Sequence, residues 1–177
     1  MRIDNLSVVP TDIGEITSAS FLAGGTQTYI RANNVSGQSI PNGNTTTITN
    51  WSNVTVQNAA EWNPTTGVFT ATKAGTYYVS INIWFNSTVA PLNTQFSCSC
   101  RKNGSLISAA YYYSESGTVG TVRNVGFASA IIPVVAGDTI DFRTFQNSGV
   151  SISITSTGQT WVNTMNICEI PGTITRA

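Results

Sequence analysis

Charge is scarce in this sequence. Of 177 residues only 9% are charged, against a usual share of about 25%, and Lys+Arg and Asp+Glu balance at 8 each. Neither sign forms a run, so there is no electrostatic footprint for a nucleic-acid backbone or an anionic membrane, and neither partner is expected. Histidine is absent altogether. That removes Ser-His and Cys-His relays and the commonest metal ligand, so no metal, cofactor or nucleophilic triad is expected. The three cysteines, Cys98, Cys100 and Cys168, are odd in number and two of them share one strand face, which is no disulfide framework; they read as buried free thiols. No apolar run reaches the roughly 18 residues of a membrane span. The opening "MRIDNLSVVPTDIGE" puts acidic residues and a Pro where a signal peptide has an apolar core, so no export signal is expected.

Ser, Thr, Asn and Gln, which supply roughly two-fifths of the chain, take the place of charge. From position 40 onward, turn signals of Gly, Asn and Pro punctuate the sequence: "PNGN", "NPTTG", "KAG", "KNG", "AGD", "NSG", "STG". Between these stops the period is two. Phe96, Cys98 and Cys100 alternate with Ser97 and Ser99, Ile140 and Phe142 with Asp141 and Arg143, and Val150, Ile152 and Ile154 with Ser151 and Ser153. This pattern predicts an all-β sandwich or barrel of short strands. Asn103-Gly104 predicts a type I′ hairpin between a strand ending near Arg101 and one starting at Ser105. Gly137-Asp138 predicts a tight turn, with Asp138 accepting a backbone N–H. That turn role accounts for the close acidic pair Asp138 and Asp141 without catalysis, and no catalytic residue is expected.

The ordered set "GVFTATKAGTYYVSI", "RKNGSLI" and "IIPVVAGDTIDF" resembles the globular head domain of complement component one, subcomponent q, within the tumour-necrosis-factor-like jelly rolls. The likeness runs over roughly residues 60 to 170 and is carried by Gly67 and Phe69, by Ala74, Gly75 and Tyr77, and by Gly137 and Asp138. Thr72 stands where that family often has Pro, and the last strand, "WVNTMNICEI", lacks the usual Phe-x-Gly. The resemblance implies a ten-stranded, two-sheet jelly-roll sandwich that assembles as a homotrimer. On this reading residues 1–28 form an N-terminal extended arm, 29–172 the trimer-forming head and 173–177 a C-terminal tail.

The strand from Thr76 to Phe85 bears on the trimer independently. Its odd row, Tyr77, Val79, Ile81, Ile83 and Phe85, is continuously apolar and fits the domain's own core. Its even row mixes aromatic and small polar groups without charge, as subunit interfaces do, and places Tyr78, Asn82 and Trp84 at the trimer interface. Scattered apolar residues before position 28 (Ile3, Leu6, Val8, Val9, Ile13, Ile16, Phe21 and Leu22) have no sustained period and suit an arm that docks on a partner. Consecutive Tyr111, Tyr112 and Tyr113 must point to both faces of a strand, so at least one ring is outside the core, as packing at an edge or as a contact for a host surface glycan.

A charge-poor jelly roll with an arm, no export signal and no catalytic residues is expected to be a virion structural protein. The expected role is a trimeric capsid decoration, or cement, protein of a bacteriophage, attached to the major capsid protein through its arm. The alternative expectation is the receptor- or glycan-binding head of a tail fibre or spike.

Overall fold

Alternation of period two becomes strands throughout the computed structural model, which describes residues 27–86, 91–114, 123–155 and 162–171. The first half of the chain supplies β1 (Tyr29–Asn33), β2 (Ser39–Ile40), β3 (Thr46–Thr47), β4 (Ser52–Gln57), β5 (Trp62–Asn63), β6 (Val68–Thr70) and β7 (Gly75–Asn86). The second half adds β8 (Gln95–Lys102), β9 (Ser105–Tyr113), β10 (Arg123–Val134), β11 (Thr139–Gln146), β12 (Ile152–Ile154) and β13 (Thr164–Ile170). Ten of these strands have three or more residues, and β2, β3 and β5 are two-residue additions at sheet margins. A 3-10 turn, Ala59–Glu61, leads into β5.

The strands form two antiparallel sheets packed as a jelly-roll sandwich. In the first, the order is β2-β12-β7-β13-β1-β4, and β10 runs along the other flank of β7. The second has the order β5-β6-β11-β8-β9, with β3 next to β6 on the flank of β11. Between them lies the core that the alternation requires. Tyr77, Val79, Ile81, Ile83 and Phe85 of β7 are all fully buried, and they meet Phe96, Cys98 and Cys100 of β8 and Ile140 and Phe142 of β11. Ring contacts cross the sandwich, Phe85 to Phe96 at 4.9 Å and Phe69 to Tyr77 at 5.6 Å between centroids. Burial pushes the thiols of Cys98 and Cys100 up, to about 11 and about 12, which keeps them protonated and unreactive. Cys168 departs from the expectation of three buried thiols: it lies on the outward row of β13, between inward Ile167 and the strand end, and is only half-buried.

Turn chemistry fixes the register. Asn103 and Gly104 both take positive φ, 50° and 77°, as a type I′ turn demands, and join β8 to β9 with Lys102 opposite Ser105. Asp138 then ties this hairpin to the turn before β11. Its carboxylate accepts from Val135 N (2.9 Å), Asn103 Nδ2 (2.6 Å) and Lys102 Nζ (2.8 Å). Gly67, between β5 and β6, is required for a second reason besides its φ of 70°: a Cβ there would sit 2.0 Å from the carbonyl oxygen of Ile48.

The chain enters the head at a buried acid. Glu61, 1% exposed, accepts from Thr72 N (2.9 Å), Thr72 Oγ1 (2.6 Å) and Thr28 Oγ1 (2.5 Å), so no lone carboxylate charge is left without donors. This explains why Thr rather than Pro occupies position 72, since Pro has no N–H to give. Glu169 of β13 adds a second clasp, accepting from Thr28 N (3.0 Å) and pairing with Lys73 Nζ at 2.7 Å.

Candidate functional site

Both sheets present an outward face, and the two faces differ in chemistry. On the first sheet, β7 is flanked by β10 and β13. Its outward row holds Tyr78, Asn82 and Trp84, each half-buried, around a fully buried Ser80 whose Oγ meets Asn166 Nδ2 at 3.1 Å. The three residues expected at an interface therefore share one face. Cross-strand pairing adds two that sequence reasoning did not single out: Phe127 opposite Asn82 and Ile131 opposite Tyr78, 56% and 66% exposed. Thr164, Asn166 and Cys168 of β13 complete the surface opposite Asn82, Ser80 and Tyr78. None of these side chains is charged. Asn82 Oδ1 is buried with no hydrogen-bond partner among the described residues, an arrangement that leaves a group awaiting a donor.

On the second sheet the outward face forms a trough. Ser97 and Ser99 of β8, 8% and 7% exposed, form its floor. Tyr111 stands opposite Ser97 on one side and Phe145 opposite it on the other, so three adjacent strands place an aromatic, a serine and an aromatic in one row. Gln95 and Arg101 sit towards the ends of a cavity of about 200 Å³. Of the tyrosine triplet, Tyr111 and Tyr113 are more than half exposed, whereas Tyr112 turns inward and meets Phe96 with ring centroids 6.3 Å apart. Only Tyr111 and Tyr113 are therefore placed to meet a glycan.

The acidic pair is divided between structural tasks. Asp138 clasps the two turns, and Asp141 binds Arg143 Nε at 2.5 Å on the second sheet. Among the described residues, no group of three or more His, Cys, Asp or Glu could hold a metal ion. Ile3, Leu6, Val8, Val9, Ile13, Ile16, Phe21 and Leu22 lie outside the described residues.

The strand order and the two packed sheets have counterparts among solved structures. Murine APRIL matches with a TM-score of 0.58 at 10% identity, over 81% of this chain and 99% of that one. The chain's fold is thus a jelly roll similar to that of APRIL, and to those of a TNF and a C1q domain. Eiger TNF from S. frugiperda matches with a TM-score of 0.57 at 15% identity, over 82% of this chain and 93% of that one. The globular domain of zebrafish complement 1qA matches with a TM-score of 0.53 at 10% identity, over 82% and 97%. No protein-family model matches the sequence. No curated protein matches it either. At such identities the likeness to TNF and C1q heads is one of fold, and the faces described above are this chain's own.

Proposed function

We propose that the chain is a non-catalytic assembly head that forms a homotrimer through the outward face of its first sheet and serves as a capsid decoration protein of a bacteriophage virion. The observation that carries the reading is the uncharged patch of Tyr78, Asn82, Trp84, Phe127 and Ile131 on β7 and β10. Large exposed apolar groups beside half-buried aromatics and an unpaired buried amide oxygen are what a covered interface core needs, and charge depletion is its compositional mark. A threefold knob suits a threefold or quasi-threefold position on a shell. In this reading the residues before the head dock on the major capsid protein, with Ile3, Leu6, Val8, Val9, Ile13, Ile16, Phe21 and Leu22 as contacts, and three such arms turn weak contacts into firm attachment.

The clasps at Thr28 set where the arm can be cut. Gln27 Nε2 also donates to the carbonyl of Glu169 at 2.8 Å, so a deletion that keeps the head intact stops at residue 26. Removing residues 1–26 is expected to leave a folded trimer that no longer sediments with capsids; a truncated trimer that still decorates them contradicts the docking role.

A second reading, the receptor- or glycan-binding head of a tail fibre or spike, is favoured by the trough on the second sheet. Under the trimer arrangement that sheet faces outward.

A further inference from the structure

We propose that the trough across β8, β9 and β11 binds one pyranose ring of a saccharide, held between Tyr111 and Phe145 over the hydroxyls of Ser97 and Ser99. The inference deepens the second reading above and rests on it only for the class of ligand. Tyr111 and Phe145 lie two strands apart with Ser97 between them. Two strand spacings put their backbones about 9.6 Å apart, which leaves room for one ring with an aromatic side chain against each of its faces. The cavity of about 200 Å³ is smaller than the pockets of about 300–1,000 Å³ that hold drug-sized molecules, and so suits a single sugar unit.

The polar groups point the same way. Ser97 is more than nine-tenths buried and lines the cavity. A serine hydroxyl can both donate to and accept from a sugar hydroxyl there. Ser99 Oγ donates to the carbonyl of Arg143 at 3.3 Å and keeps its lone pairs free to accept from a sugar hydroxyl. Gln95 towards one end offers an amide. Of the nearby cations, Arg143 Nε pairs with Asp141, whereas Arg101, whose Nη1 donates to the carbonyl of Gly104 at 2.9 Å, meets no carboxylate among the described residues and keeps its Nε buried without a hydrogen-bond partner. The hydroxyls, the amide and the two aromatic faces serve any sugar ring, and Arg101 at one end adds a countercharge for an acidic substituent. Tyr113 lies outside the cavity lining.

Three troughs per trimer would raise a weak single-site affinity through simultaneous engagement. The test is binding of the full chain to an array of neutral hexose, deoxyhexose and N-acetylhexosamine glycans and of acidic glycans, followed by calorimetric titration of the best ligand into variants. Tyr111→Ala and Phe145→Ala are each expected to weaken binding at least tenfold, Ser97→Ala severalfold, and Tyr113→Ala not at all. Tyr111 is exposed on an edge strand, so its variant folds even where Phe145→Ala does not. Saccharide binding that survives Tyr111→Ala moves the ligand elsewhere and overturns the trough while the glycan-binding reading stands. An array with no bound glycan overturns the trough and that reading together, and leaves the trimer to be judged by its mass.

Discussion

At the scale of single residues, the head is held by a few polar side chains that each satisfy several backbone groups. Asp138 is one. Lys102 first, then the N–H of Val135 and the amide of Asn103, hold its carboxyl at about 2, below its ordinary value of 3.8. A carboxyl whose value falls on folding contributes stability that is fully present above the unfolded value and is lost as pH drops through the folded one. The difference in urea midpoint between the native chain and Asp138→Asn is therefore expected to be constant above about pH 5 and to vanish as pH falls towards 2. A difference that grows on acidification contradicts this role. Gly67 is the other extreme, a residue required for what it lacks. Gly67→Ala forces a methyl group onto the carbonyl of Ile48 and an alanine into positive φ, and is expected to cost roughly 2–4 kcal/mol in urea unfolding. These two sites were legible in the sequence as Gly-Asp and "NPTTG" turns, because turn chemistry is local. The Glu61 clasp was not, since its donors, Thr28 and Thr72, are distant in sequence and meet only through the fold.

At the scale of elements, legibility follows length and regularity. The odd row of β7 is read directly from its period, and every member is fully buried. The Asn103-Gly104 hairpin is equally plain, because only a few residue pairs tolerate its dihedrals. β10 is harder to read: Gly126 at a positive φ of 98° accompanies a register shift, and Pro133 and small Ala and Ser residues dilute the alternation. That is why Phe127 and Ile131 were not foreseen on the interface face. Two-residue strands such as β2 and β5 carry no period at all. The tyrosine triplet shows the limit of the method from another side. Alternation said that neighbouring rings must oppose, but only the pairing of β9 with β8 decides that Tyr112 is the inward one and that Tyr111 faces Phe145 across Ser97.

At the scale of the whole molecule, the two sheet faces divide the work. The uncharged, aromatic patch on β7 and β10 of the first sheet is suited to other copies of the chain, and the serine-floored trough of the second stays open to a ligand. This division depends on one claim, that β7 and β10 are covered by two further copies. Replacing Ile131 with Asp places a charge at the centre of the proposed contact, where an unpaired buried charge is prohibitive, while its 66% exposure in the single chain means the fold itself is little affected. Sedimentation mass at micromolar concentration, for the native chain and for Ile131→Asp, is the most direct measurement. The account predicts three times 18.8 kDa for the native chain and 18.8 kDa, with unchanged circular dichroism, for the variant. A native chain at 18.8 kDa, or a variant that keeps the trimer mass, would contradict it.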